Sequence, residues 1–205
     1  MLQLFMPAGQ VIKQNRSWLI LAILIFLISG AFFYTAALFN QEPLGQLIGA
    51  QSEQLQGLIT LILESNPLIA VLMIFLNNFI SISQMLLLGV LAGVSPLITL
   101  SFNGALVGFF AALAAAQGTP LLPLILLGIL PHGVFELFAL FLCGALGLKF
   151  GYHCLAAPLA GKTRLQSFKH IWKETISVLP LVVLLLLAAA FIEILITPRL
   201  LGLIH

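Results

Sequence analysis

A histidine and a glutamate interrupt an otherwise apolar stretch, PHGVFEL, from Pro131 to Leu137. His132 and Glu136 stand one helical turn apart, with Cβ atoms about 5–6 Å from each other. At that spacing they can bind a metal, relay a proton or satisfy one another. A carboxylate near the centre of a bilayer costs about 2.5–3.5 kcal/mol on insertion scales, so it marks a functional site or a specific packing contact. The metalloprotease pattern H-E-x-x-H is absent, and no second histidine is placed to complete a zinc site. No serine sits in a nucleophile elbow and no glycine-rich phosphate loop is present. The expected site therefore has no catalytic residue, no metal and no cofactor. A structural or partner-dependent polar cluster is favoured over a transport path, and both over catalysis.

Other polar residues fall inside apolar runs. Asn77, Ser81 and Gln84 recur at i, i+4 and i+7, which places a polar ladder on one helix face. Asn78 adjoins the ladder, Asn103 lies in the next run, and Glu193 lies in FIEILITP near the C-terminus. Lipid cannot hydrogen-bond these groups, so they must meet another helix or a wet cavity. Counted inward at about 1.5 Å per residue, His132 lies about 16 Å deep and Glu136 about 22 Å. The same count puts Asn77 and Asn78 about 14–15 Å deep and Glu193 about 7–8 Å. An Asn–His layer is thus expected in preference to a Glu136–Glu193 pair. The candidate site is Asn77, Asn78, Asn103, His132, Glu136 and Glu193.

The elements that must position these residues follow from composition. Of 205 residues, 61% are hydrophobic and 7% are charged, and the mean hydropathy is +1.20. Soluble domains carry about 25% charged residues, so this is an integral membrane protein with the lipid bilayer as its first partner. Basic residues are too few for nucleic-acid binding. Cys143 and Cys154 form neither a metal motif nor a disulfide framework. The expected fold is all-α: a single polytopic domain with spans near 18–39, 68–94, 97–117, 121–148 and 177–198. The first apolar run is too long for a cleaved signal peptide and lacks an A-x-A site, so it is read as a retained anchor. The fourth span is too long for a simple helix, and Pro131 removes a backbone donor. A kink or break is therefore expected at Pro131–Gly133.

With the N-terminus inside, seven of the eight basic residues (Lys13, Arg16, Lys149, Lys162, Arg164, Lys169 and Lys173) are cytoplasmic, against Arg199 outside. That bias predicts an N-in, C-out orientation in the plasma membrane. An external amphipathic segment is expected over 44–63, and a basic interfacial helix over 162–174 with Leu165, Phe168 and Trp172 on its apolar stripe. Three GxxxG pairs, Gly89 with Gly93, Gly104 with Gly108, and Gly147 with Gly151, are expected to let helices approach closely. A homo-oligomer is compatible with the same surfaces.

Several of these motifs together resemble the stage II sporulation protein M family. They are FLNNF (Phe75 to Phe79), FNGALVG (Phe102 to Gly108), PHGVFEL followed by CGALGLKFG, and FIEILITP. PHG with a glutamate three positions later is the most specific element. The resemblance implies a five-span membrane protein that acts with partners, and a non-enzymatic role is expected over an enzymatic one. In endospore formers the named member works with two peptidoglycan-degrading enzymes at the septal membrane during engulfment. A scaffold or subunit of a cell-envelope complex is therefore the expected function. A permease-like subunit with a midplane His/Glu/Asn site is the alternative.

Overall fold

The computed structural model describes residues 6–40 and 65–202. The expected amphipathic segment at 44–63 lies outside the described residues. Among the described residues every regular element is a helix. A short helix α1 (Ala8–Gln14) leads into α2 (Arg16–Phe39); α3 (Pro67–Gly89) and α4 (Val94–Ala116) follow. α5 runs over Leu121–Leu155, α6 over Arg164–Leu195, and the short α7 over Thr197–Leu201. Five of these, α2 to α6, are long and apolar enough to cross a membrane. Large apolar side chains stay on the outside, with Ile28 66% and Leu184 64% exposed. In water that surface would drive association; in lipid it is the favourable state. The chain is a multi-pass membrane protein.

Local sequence sets the helix ends. Asn66 caps α3, its Oδ1 accepting from the Leu68 amide at 3.0 Å, and Pro67 occupies the first turn. Thr163 and Gln166 form a capping box at the start of α6. α5 departs from regular helix at a π-helical turn over Leu124–Ile129, directly before Pro131. Pro131 lacks a donor and crowds the preceding turn, and a turn of wider register accommodates both defects. The α-helix then runs through Pro131, His132 and Gly133; the irregularity lies one turn earlier than the residues that provoke it.

Residues 164–174 are the opening turns of α6 rather than a separate surface helix. Phe168 and Trp172 do not rest on lipid alone; their rings lie 5.6 and 5.4 Å from that of Phe150. α6 has 32 residues, so its length is about 48 Å. It can span a hydrocarbon layer of about 30 Å and still project beyond it.

Glycines bring backbones into contact. α2 packs chiefly on α4, and α5 chiefly on α6. A Cβ built on Gly104 would strike the Phe26 carbonyl oxygen, and one on Gly108 the Gly30 carbonyl oxygen. On α3, a Cβ at Gly89 would lie 2.8 Å from the Gly147 Cα. Gly151 meets the Gly93 backbone. The pair on α3 and its turn thus faces the pair on α5, so small residues set the α3–α5 separation.

A buried polar knot ties three segments at one end of the bundle. Lys149 Nζ donates to Glu174 Oε2 at 2.6 Å and to Asn15 Oδ1 at 2.8 Å. Asn15 Nδ2 donates in turn to Glu174 Oε1 at 3.2 Å and to the Val11 carbonyl at 2.9 Å. Asn15 and Glu174 are each 1% exposed and Lys149 is 6% exposed, so water does not screen the pair. Charge and hydrogen-bonding capacity are matched within the knot. Lys149→Ala leaves Glu174 buried without its cation and is expected to cost about 3–5 kcal/mol. The loss should appear as a lowered thermal midpoint of the detergent-solubilised protein. Lys149→Met with Glu174→Leu removes both charges and should restore most of it; a double variant as unstable as the single one would contradict this assignment.

Candidate functional site: an acceptor-lined cluster between helices

The π-helical turn of α5 packs against α7, and that contact sets the position of His132. Its Nδ1 lies 3.3 Å from Thr197 Oγ1. The Thr197 hydroxyl donates to the Ile192 carbonyl at 3.2 Å. A hydroxyl carries one proton, and here it is spent on Ile192. With its proton so placed, Thr197 accepts from the ring, which calls for a proton on Nδ1 and, in the neutral ring, makes Nε2 the acceptor.

Glu136 lies one turn along α5, and Glu193 comes from the last turn of α6. One ligand atom from each of His132, Glu136 and Glu193 lies within 4.8 Å of the other two. All three residues are half-buried. Among the described residues neither carboxylate has a hydrogen bond or an ion pair. The Lys149 knot satisfies its charges internally; this cluster gathers two carboxylates and an imidazole with no lysine or arginine paired to them among the described residues.

A small cavity of about 30 Å³ adjoins it, lined by Asn78, Ser81, Ile82, Asn103, Glu136 and Leu140. About 10–15 Å³ of such space holds one water, so one or two waters fit against Glu136. Ser81, on the cavity wall, is exposed, while Asn103 is half-buried and donates to the Thr99 carbonyl at 2.8 Å.

This arrangement corrects the depth count. Glu193 meets Glu136 and His132, and the expected Asn–His layer is replaced by an Asn78–Asn103–Glu136 cavity. The count assumes straight, parallel helices measured from a common surface. The π-helical turn and the differing lengths of α5 and α6 break both assumptions. Asn77 stands apart from the cluster: it is exposed, and its amide lies 3.5 Å from Asn78 Oδ1. Neighbouring helix positions point about 100° apart, so only Asn78 faces inward.

Thr197 is the residue that sequence reasoning missed here. It lies in FIEILITP, and a hydroxyl four residues past an intramembrane glutamate is the signal available.

The profile of the family described as Stage II sporulation protein M matches residues 19–198. The chain belongs to that family. An uncharacterized protein of Methanocaldococcus jannaschii is 34% identical over 126 residues, which cover 62% of this chain and 70% of the relative. No solved structure matches the chain. In this stage II sporulation protein M family member, the matched region holds the whole His132–Glu136–Glu193 cluster with Thr197, and also Lys149 and Glu174; Asn15 lies before it.

The tautomer assignment can be checked directly. In ¹⁵N-histidine spectra of the solubilised protein, the signal lost in His132→Gln is expected to be the Nδ1–H form. Thr197→Val removes the acceptor and should shift that signal toward the Nε2–H form. An Nε2–H signal in the unmodified protein would contradict the assignment.

Proposed function

We propose that the protein is a non-enzymatic, multi-pass subunit of a cell-envelope complex, held in the plasma membrane with its N-terminus in the cytoplasm and its C-terminus outside. The observation that carries this reading is the outward face of α3. Asn77, Ser81 and Gln84 share that face and are all exposed on a helix built to cross a membrane. Asn77 has only its 3.5 Å contact with Asn78, hydrocarbon offers these groups nothing, and leaving an amide without a partner costs about 1–3 kcal/mol in proteins. A partner helix presenting polar side chains supplies the missing hydrogen bonds, at about 0.6–2 kcal/mol each. Membership in the stage II sporulation protein M family supports an envelope setting for that partner. The orientation rests on the excess of lysine and arginine on one side of the spans.

A transport path is the second reading, favoured by the cavity that reaches Glu136 from the exposed Ser81. Ion or proton flux in proteoliposomes that depends on Glu136 would favour it over the scaffold.

The scaffold reading is tested by photo-crosslinking in native membranes. A photoreactive residue at Gln84 is expected to give a discrete adduct with a cell-wall enzyme, another membrane subunit or a second copy. The same residue at Leu184, on a lipid-facing surface, should give none. Lipid adducts alone at both positions would overturn the reading.

A further inference from the structure

We propose that His132, Glu136 and Glu193 form a binding site for one divalent transition-metal ion, of the Zn²⁺ or Mn²⁺ class. The expectation of no metal rests on the lack of a second histidine near PHGVFEL. The fold supplies a third ligand from elsewhere, the Glu193 carboxylate of α6.

Three observations carry the proposal. The first is polarity. With the Thr197 hydroxyl turned to the Ile192 carbonyl, the neutral imidazole carries its proton on Nδ1 and offers Nε2 as an acceptor beside the carboxylates. Acceptors meeting in one place call for a cation or a proton between them, and two ionised carboxylates repel at short range; a divalent ion answers all three groups at once. The second is positioning. Metal-bound histidines almost always donate their other ring N–H to a fixed acceptor, and Thr197 stands in that role. The third is room for water. The cavity beside Glu136, polar at Asn78, Ser81 and Asn103, can hold water at positions the protein ligands leave open.

The distances are close to those of a bound site. Metal–ligand bonds of about 2.0–2.2 Å hold ligand atoms at most about 4.4 Å apart. The 4.8 Å spread exceeds that limit, so binding draws the three ligand atoms closer together. Imidazole with carboxylates suits zinc, manganese and iron, whereas magnesium and calcium favour sites built wholly from oxygen. Zinc is expected to bind more tightly than manganese, following the usual order of divalent affinities. All three ligands come from α5 and α6, so none of them is an α3 residue on which the scaffold reading rests.

The test uses the full chain, purified in mild detergent and stripped with a chelator, then titrated with Zn²⁺, Mn²⁺ and, for comparison, Mg²⁺. The proposal predicts one Zn²⁺ or Mn²⁺ per chain, at least tenfold tighter than Mg²⁺, with a raised thermal midpoint on binding. His132→Ala, Glu136→Gln and Glu193→Gln should each weaken binding tenfold or more. Thr197→Val, which leaves all three ligands in place, should weaken it about 10–100-fold. Absence of a stoichiometric ion in the unmodified protein overturns the proposal without any variant. So does an affinity that stays within twofold in Glu193→Gln and His132→Ala.

Discussion

Hydrocarbon cannot donate or accept a hydrogen bond, and every polar group that this chain carries into its apolar spans must be answered from within the protein or by something bound to it. That constraint separates the polar residues by how they are answered. Asn15, Lys149 and Glu174 are answered by each other, with the cation, the carboxylate and the amide all engaged. His132 is answered on one side by Thr197. The carboxylates of Glu136 and Glu193 are not answered among the described residues. Neighbouring elements of one fold thus hold a closed network and an open one. The closed network fastens the N-terminal segment, α5 and α6 together; the open one lies where chemistry or binding can occur.

The open cluster depends on close helix packing elsewhere. Gly89 and Gly93 meet Gly147 and Gly151 through backbone atoms, which holds α3 tightly on α5. At that separation Asn78 and Ser81 reach the cavity beside Glu136. A larger residue at Gly151 would push against the Gly93 backbone, which has no rotamer with which to yield. The second contact, Gly30 of α2 against Gly104 and Gly108 of α4, fixes the other half of the bundle in the same way. The π-helical turn performs the remaining adjustment. It absorbs the demands of Pro131 and carries α5 against α7, so that Thr197 meets His132.

Much of this was legible in the sequence, because hydropathy and length read directly onto the bilayer. The five spans follow from apolar runs, and their observed ends differ from the expected ones mainly at the end of α5, at Leu155, and the start of α6, at Arg164. What the sequence conceals is lateral geometry. Depth along the membrane normal can be counted, but the count cannot say which faces meet, and it separated Glu193 from Glu136. Asn77 and Asn78 look equivalent in FLNNF, yet one faces outward and the other lines the cavity. Gly30 carries no GxxxG signature, and its role depends on its partner helix. Lys149 reads as one more cytoplasmic charge, whereas it is buried against Glu174. One signal was available there: Glu174 is the single acidic residue among the basic residues of that side, and a lone acid in such a setting seeks a cation.

The central claim is that Glu136 and Glu193, from different helices, act as one unit. A double-mutant cycle on thermal stability in detergent tests it most directly, using Glu136→Gln, Glu193→Gln and the pair. Residues that share one site couple by about 0.5–3 kcal/mol, so the double variant should depart from the sum of the singles by that amount. Additivity within about 0.3–0.5 kcal/mol, the behaviour of distant and independent positions, would contradict the account.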